Sequence, residues 1–159
     1  MLEAILFLSV ALNIYLLIKY VLVDKSAKND SVEDVIAEGL KHNDRSVVLM
    51  TALLALSAKI AKADGKVLPV EKEMVAKHLG FPLDKSDSSS QLFDVACDTD
   101  IPTAHFVRVI REWFPETRNR AKVVELLREI AWSDGEYHEA EEEFCDRVCR
   151  EIGLQSSDI

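Results

Sequence analysis

The chain has 159 residues, enough for one domain with a sizeable core, and carries 28 acidic against 19 basic side chains. A formal net charge of −9 argues against binding to nucleic-acid backbones, which calls for clustered Lys and Arg. Three cysteines, Cys97, Cys145 and Cys149, form no C-x-x-C pair and have no His at ligand spacing, so they are expected to be buried, reduced thiols in a reducing compartment.

The chain opens with an apolar run, LEAILFLSVALNIYLLIKYVLV, over residues 2–23. As a helix it reaches about 33 Å, enough for a bilayer core of about 30 Å. Its charges, Glu3 and Lys19, lie near the ends, and Tyr15 and Tyr20 suit the headgroup level. There is no basic n-region and no small-x-small cleavage site, so a retained anchor over 1–23 is expected rather than a signal peptide. Lys19, Lys25 and Lys28 follow the run and no Lys or Arg precedes it. The positive-inside rule therefore places the rest of the chain in the cytoplasm, tethered to the inner membrane. Asn13, near mid-membrane, offers a hydrogen bond across a helix homodimer.

Residues 24–43 read as a juxtamembrane linker and a short helix, with Ser31 and Asp34 at its start. From Asp44 to Ala63 the sequence is nearly continuous in apolar and small residues, which predicts a helix buried on most sides. Asp64-Gly65 stops it. Pro69 opens a Glu-rich helix that ends at Gly80, and Pro82 bars continuation. A turn-rich connector leads to a short helix over Ser88–Cys97. Pro102 opens another helix, whose Phe106, Val109, Ile110 and Trp113 form an apolar face. Pro115 ends it. A further helix from about Glu116 carries Val123, Val124, Leu126, Leu127, Ile130 and Ala131, and is expected to be a second central helix paired with the Asp44–Ala63 one. Trp132 and Tyr137 are expected in the core. The last helix places Phe144, Val148 and Ile152 on one face, Gly153 closes it, and 155–159 is a tail. No stretch alternates as a strand.

One pattern occurs twice. KIAKADGKVLPVEKEMVAKHLG, from Lys59 to Gly80, is echoed by EIAWSDGEYHEAEEEFCDRVCREIG, from Glu129 to Gly153. Asp64 and Asp134 are each followed by Glu at matching offsets, Glu71 and Glu141, then Glu73 and Glu143. Two accounts of these carboxylates stand. Asp can cap the turn and Glu can satisfy N–H groups at the positive end of the next helix. Alternatively, Asp64, Glu71, Asp134 and Glu141 hold a divalent cation, and oxygen-only ligands favour calcium or magnesium. The spacing is not that of the twelve-residue calcium loop. If the halves fold onto each other, one acidic site would draw on both copies. His138 stands near Asp134 and Glu141, but Leu68 takes its place in the first copy.

Read as A-x-A-D-G-x-[VY] before a Glu-rich helix ending in [LI]-G, the two elbows resemble the tellurite-resistance TerB-like domain family. They are also similar to the N-terminal region of the membrane-anchored, DnaJ-like co-chaperone type known as DjlA. The resemblance covers residues 44–154. It implies an all-α domain with internal duplication about a pseudo-twofold, here preceded by one transmembrane helix. It also implies that Asp64, Glu71, Asp134 and Glu141 occupy the family's acidic, metal-linked positions. No His-Pro-Asp tripeptide of a J-domain occurs, so Hsp70 stimulation is not implied. The expected function is a membrane-anchored interaction or stress-sensing module with a protein partner still to be identified. An adaptor for a separate J-domain and Hsp70 system is the alternative. A metal-dependent hydrolase on the four carboxylates is the enzyme alternative, with no nucleophile motif to support it.

Overall fold

Asp44 starts the helix on which the others pack: its Oδ1 accepts hydrogen bonds from Ser46 N (3.1 Å) and Val47 N (3.2 Å). In the computed structural model, which describes residues 32–41, 44–80, 83 and 88–155, the described residues form seven helices and no strand. They are α1 (Val32–Lys41), α2 (Arg45–Ala61), α3 (Pro69–Leu79), α4 (Ser88–Cys97), α5 (Thr103–Trp113), α6 (Thr117–Ala131) and α7 (Glu139–Glu151). The apolar run over 2–23, its orientation and Asn13 lie outside the described residues, as do Ser31 and the tail over 156–159. Among the described residues, no helix is long and apolar enough to cross a membrane.

Helix α2 is apolar around its whole circumference, and it packs against all six other helices. Small residues let its neighbours approach: Ala52, Ala55, Ala58 and Ala61 are fully buried beside Leu54, Leu56 and Ile60. The core is completed by Phe93 of α4, Phe106 and Ile110 of α5, Leu127 and Ile130 of α6, and Val148 and Ile152 at the end of α7. Helix α6 does pair with α2, and among the described residues its main contacts are with α2, α3 and α7. The expected pairing of the two helices is thus present, with α2 the hub and α6 beside it. The reason lies in composition: α6 carries exposed Lys122, Glu125 and Glu129 on one side, whereas α2 has almost no polar face.

The duplication is visible in how the halves interlock. Each half is a helix, an elbow and a helix: α2 with α3, then α6 with α7. The second helix of each half also packs on the first helix of the other, α3 on α6 and α7 on α2, and the two first helices pack together. This reciprocal exchange is the contact pattern of a pseudo-twofold. The linking helices α4 and α5 fill the other flanks of α2.

Two sequence expectations meet different fates at the periphery. Cys145 and Cys149 are buried, as their pattern suggests, whereas Cys97 is half-buried. Trp132, expected in the core, is instead 56 % exposed. It is the C-cap residue just past α6, so the helix's apolar face no longer governs its direction. Its ring stacks on half-buried Tyr137 at 5.3 Å, with an interplanar angle of 12°.

Candidate functional site

The two elbows repeat each other bond by bond. In the first, Lys62 N donates to Ala58 O, Ala63 N to Ile60 O, and Gly65 N to Lys62 O. In the second, Trp132 N donates to Arg128 O, Ser133 N to Ile130 O, and Gly135 N to Trp132 O. Gly65 and Gly135 turn the chain at φ 102° and 89°, a region that side chains with a Cβ disfavour. Asp64 Oδ1 then accepts from Lys66 N, and Asp134 Oδ1 from Glu136 N, both at 3.0 Å. Glu71 Oε2 accepts from Leu68 N at 2.5 Å, and Glu141 Oε2 from His138 N at 2.9 Å. These are the Glu half of a capping box, since neither Leu68 nor His138 caps with its own side chain.

The capping account of the four carboxylates is thus realised, and it uses one oxygen of each. Among the described residues the second oxygen accepts no protein hydrogen bond. Glu71 and Glu141 are 3 % and 2 % exposed, although each lies in the first turn of a helix. Two charged groups at such depth are costly unless compensated.

The fold also brings the elbows within electrostatic reach of each other. Burial pushes the Glu71 carboxyl up to about 7; its bond from Leu68 N opposes the rise, and the charges of Glu141, Asp64 and Asp134 add to it. Glu141 is raised too, by burial first. The His138 backbone bond and ring work against that rise, and Asp134 and Asp64 reinforce it. All four acidic residues singled out in the sequence therefore share one field. Among the described residues none of the four has a Lys or Arg within ion-pair distance. The His138 ring lies 3.7 Å from Glu136 rather than in contact with Asp134 or Glu141.

The donor set suits a hard divalent cation: carboxylate oxygens only, drawn from both copies, with one oxygen of each left over. As the side chains stand, no group of three or more His, Cys, Asp or Glu among the described residues is gathered closely enough to hold an ion.

Sequence reasoning missed one partner of the second elbow. Burial, with the neighbouring Cys145 thiol adding to it, pushes the Tyr137 hydroxyl's pKa up. The first copy has Val67 and Val75 at the matching positions, so comparing the copies would have flagged the polar pair.

Duplicated helix–elbow–helix units, interlocked about a pseudo-twofold with an acidic residue pair at each elbow, define an all-helical domain of the tellurite-resistance type. The family described as Tellurite resistance protein TerB matches residues 50–159, and the chain belongs to that family. No curated protein and no solved structure gives a significant match.

Proposed function

We propose that this TerB-family chain is a membrane-anchored, cytoplasmic interaction module whose paired elbows respond to divalent cations. The observation that carries the reading is the burial of Glu71 and Glu141 in the field of Asp64 and Asp134 with no basic partner. Such a cluster is relieved either by taking up protons or by taking up a cation. Because α3 and α7 begin at these carboxylates, relief there would change how firmly the halves hold each other, and so the surface offered to a partner. The anchor rests on the apolar run over 2–23 and the lysines after it.

Calorimetric titration of the full chain in mild detergent with Ca²⁺, Mg²⁺, Mn²⁺ and Zn²⁺ tests the cation. Saturable binding abolished by the double change Asp64→Asn and Asp134→Asn supports it. The absence of heat and of any melting shift with all four metals leaves capping as the only role. A periplasm-active reporter fused after Ile159 is expected to be silent, and its activity would reject the cytoplasmic placement. Capture of partners from membranes then separates scaffolding from an Hsp70-linked adaptor.

A further inference from the structure

The duplication provides an internal comparison away from the carboxylates. In the register that matches Asp64 with Asp134 and Glu71 with Glu141, Lys59 of α2 corresponds to Glu129 of α6, and the Arg147–Val148 step of α7 to Lys77–His78 of α3. In the second half, the crossing of α6 with α3 is closed by an acid–base pair, His78 Nε2 to Glu129 Oε2 at 2.8 Å. The matching crossing of α2 with α7 has no such pair. It sets Lys59 and Arg147, both cations, in each other's field.

Between them the surface opens into a cavity of about 290 Å³ at the junction of α2, α5 and α7. Lys59, Lys62 and Arg147 line it together with Thr103 and Phe144, and no acidic residue does. Three positive charges around one opening are unusual in a chain of net charge −9. Local compensation is partial. The Lys59 ammonium donates to the neutral Thr99 carbonyl at 2.9 Å, and after burial the charge of Asp100 acts on it most, raising its pKa where burial and Arg147 lower it. Lys62 stands 4.0 Å from Asp98, and Arg147 lies over the Phe144 ring, 5.3 Å from its centroid. Burial and Arg147 both lower the Lys59 pKa, so a bound anion would relieve a cost that the protein alone leaves in place.

We propose that this cleft is an anion site for a phosphate group, either free phosphate or a small phosphate monoester. The chemistry fits on three counts. Two lysines supply point charges and the arginine supplies a fork that matches phosphate oxygens. Thr103, whose hydroxyl can donate, is the first residue of α5; Pro102 offers no side-chain cap, and the His105 N–H is already taken by the Pro102 carbonyl at 2.9 Å. The volume lies at the small end for ligand pockets, which suits a compact headgroup rather than a large ligand. The site is separate from the proposed cation cluster, sharing no lining residue with it, and does not rest on it.

The test is thermal stability of the full chain in mild detergent, titrated with inorganic phosphate and in parallel with glycerol phosphate, against sodium chloride at matched ionic strength. A saturable rise in melting temperature is expected over the shallow, non-saturating rise that phosphate gives any protein by exclusion. Lys59→Gln and Arg147→Gln should each weaken the apparent affinity about tenfold or more. Lys77→Gln, at the position matching Arg147 and equally exposed, should leave it unchanged. Tighter binding of glycerol phosphate would assign the site to a monoester, and the reverse to free phosphate. A wild-type response that does not saturate with either probe, or that is the same in K59Q, R147Q and K77Q, overturns the proposal.

Discussion

Glu71 and Glu141, at equivalent starts of α3 and α7, are buried in one another's electrostatic field, though they are far apart in sequence. Each holds the N–H of its own N-cap residue, so each is anchored where its charge is least welcome. A structural cap has become a titratable element, and several consequences can be measured.

Stability should fall as pH rises from about 5 to about 7. Glu71 has its folded pKa raised to about 7, above the ordinary carboxylate range, so the folded state holds a proton that the unfolded chain releases. The stabilising proton is present below the unfolded pKa and is lost as pH passes through the folded one. Glu141, shifted the same way, adds to the slope. Urea unfolding across this window should show a loss on the order of 1–3 kcal/mol. Glu71→Gln, which keeps an acceptor for Leu68 N but carries no charge, should flatten it. An unchanged slope in that variant would show that Glu71 ionises freely in the fold.

If the elbows take a divalent cation, proton and cation compete for the same oxygens. Calcium or magnesium should then raise the melting temperature more at pH 8 than at pH 5.5. Glu71→Gln should reduce the effect, and Asp64→Asn with Asp134→Asn should remove it. Equal shifts at both pH values would point to binding elsewhere on the acidic surface.

The elbow glycines answer a different question. A Cβ built on Gly65 or Gly135 meets no atom within 4 Å, so the cost of alanine there is backbone conformation alone. Gly65→Ala and Gly135→Ala should each destabilise by about 1–2 kcal/mol in urea unfolding. Near-equal costs at the two sites would reflect the matching turns. A neutral substitution would mean the elbow relaxes to negative φ without loss.

Size and chemistry mislead at one position, and paired substitutions expose it. Ile60 is fully buried on α2, and Ile60→Ala should cost about 2–5 kcal/mol. Trp132→Ala removes a larger side chain but forfeits mainly the stack on Tyr137, about 0.5–1.5 kcal/mol. A tryptophan cost equal to that of Ile60 would place its ring inside the core in solution.

The helices, the elbows that end them and most of the faces they bury can be read along the chain. Those features are coded within a few residues: Asp-Gly before a left-handed turn, Pro69 in a first turn, Glu at the third position of α3 and α7, and apolar spacing along α5 and α7. The repeat also marked Asp64, Glu71, Asp134 and Glu141 as a set, because matching offsets survive in the chain. The packing of distant segments set the elbows in one field, made α2 the hub beside α6, and left Trp132 facing solvent. It likewise set Lys59 in the field of Arg147 and Asp100, where its counterpart Glu129 pairs with His78 at 2.8 Å. Local patterns specify backbone and burial, since they act through neighbours one helical turn away. Which charge meets which depends on how faces from distant segments dock, and no local spacing encodes that.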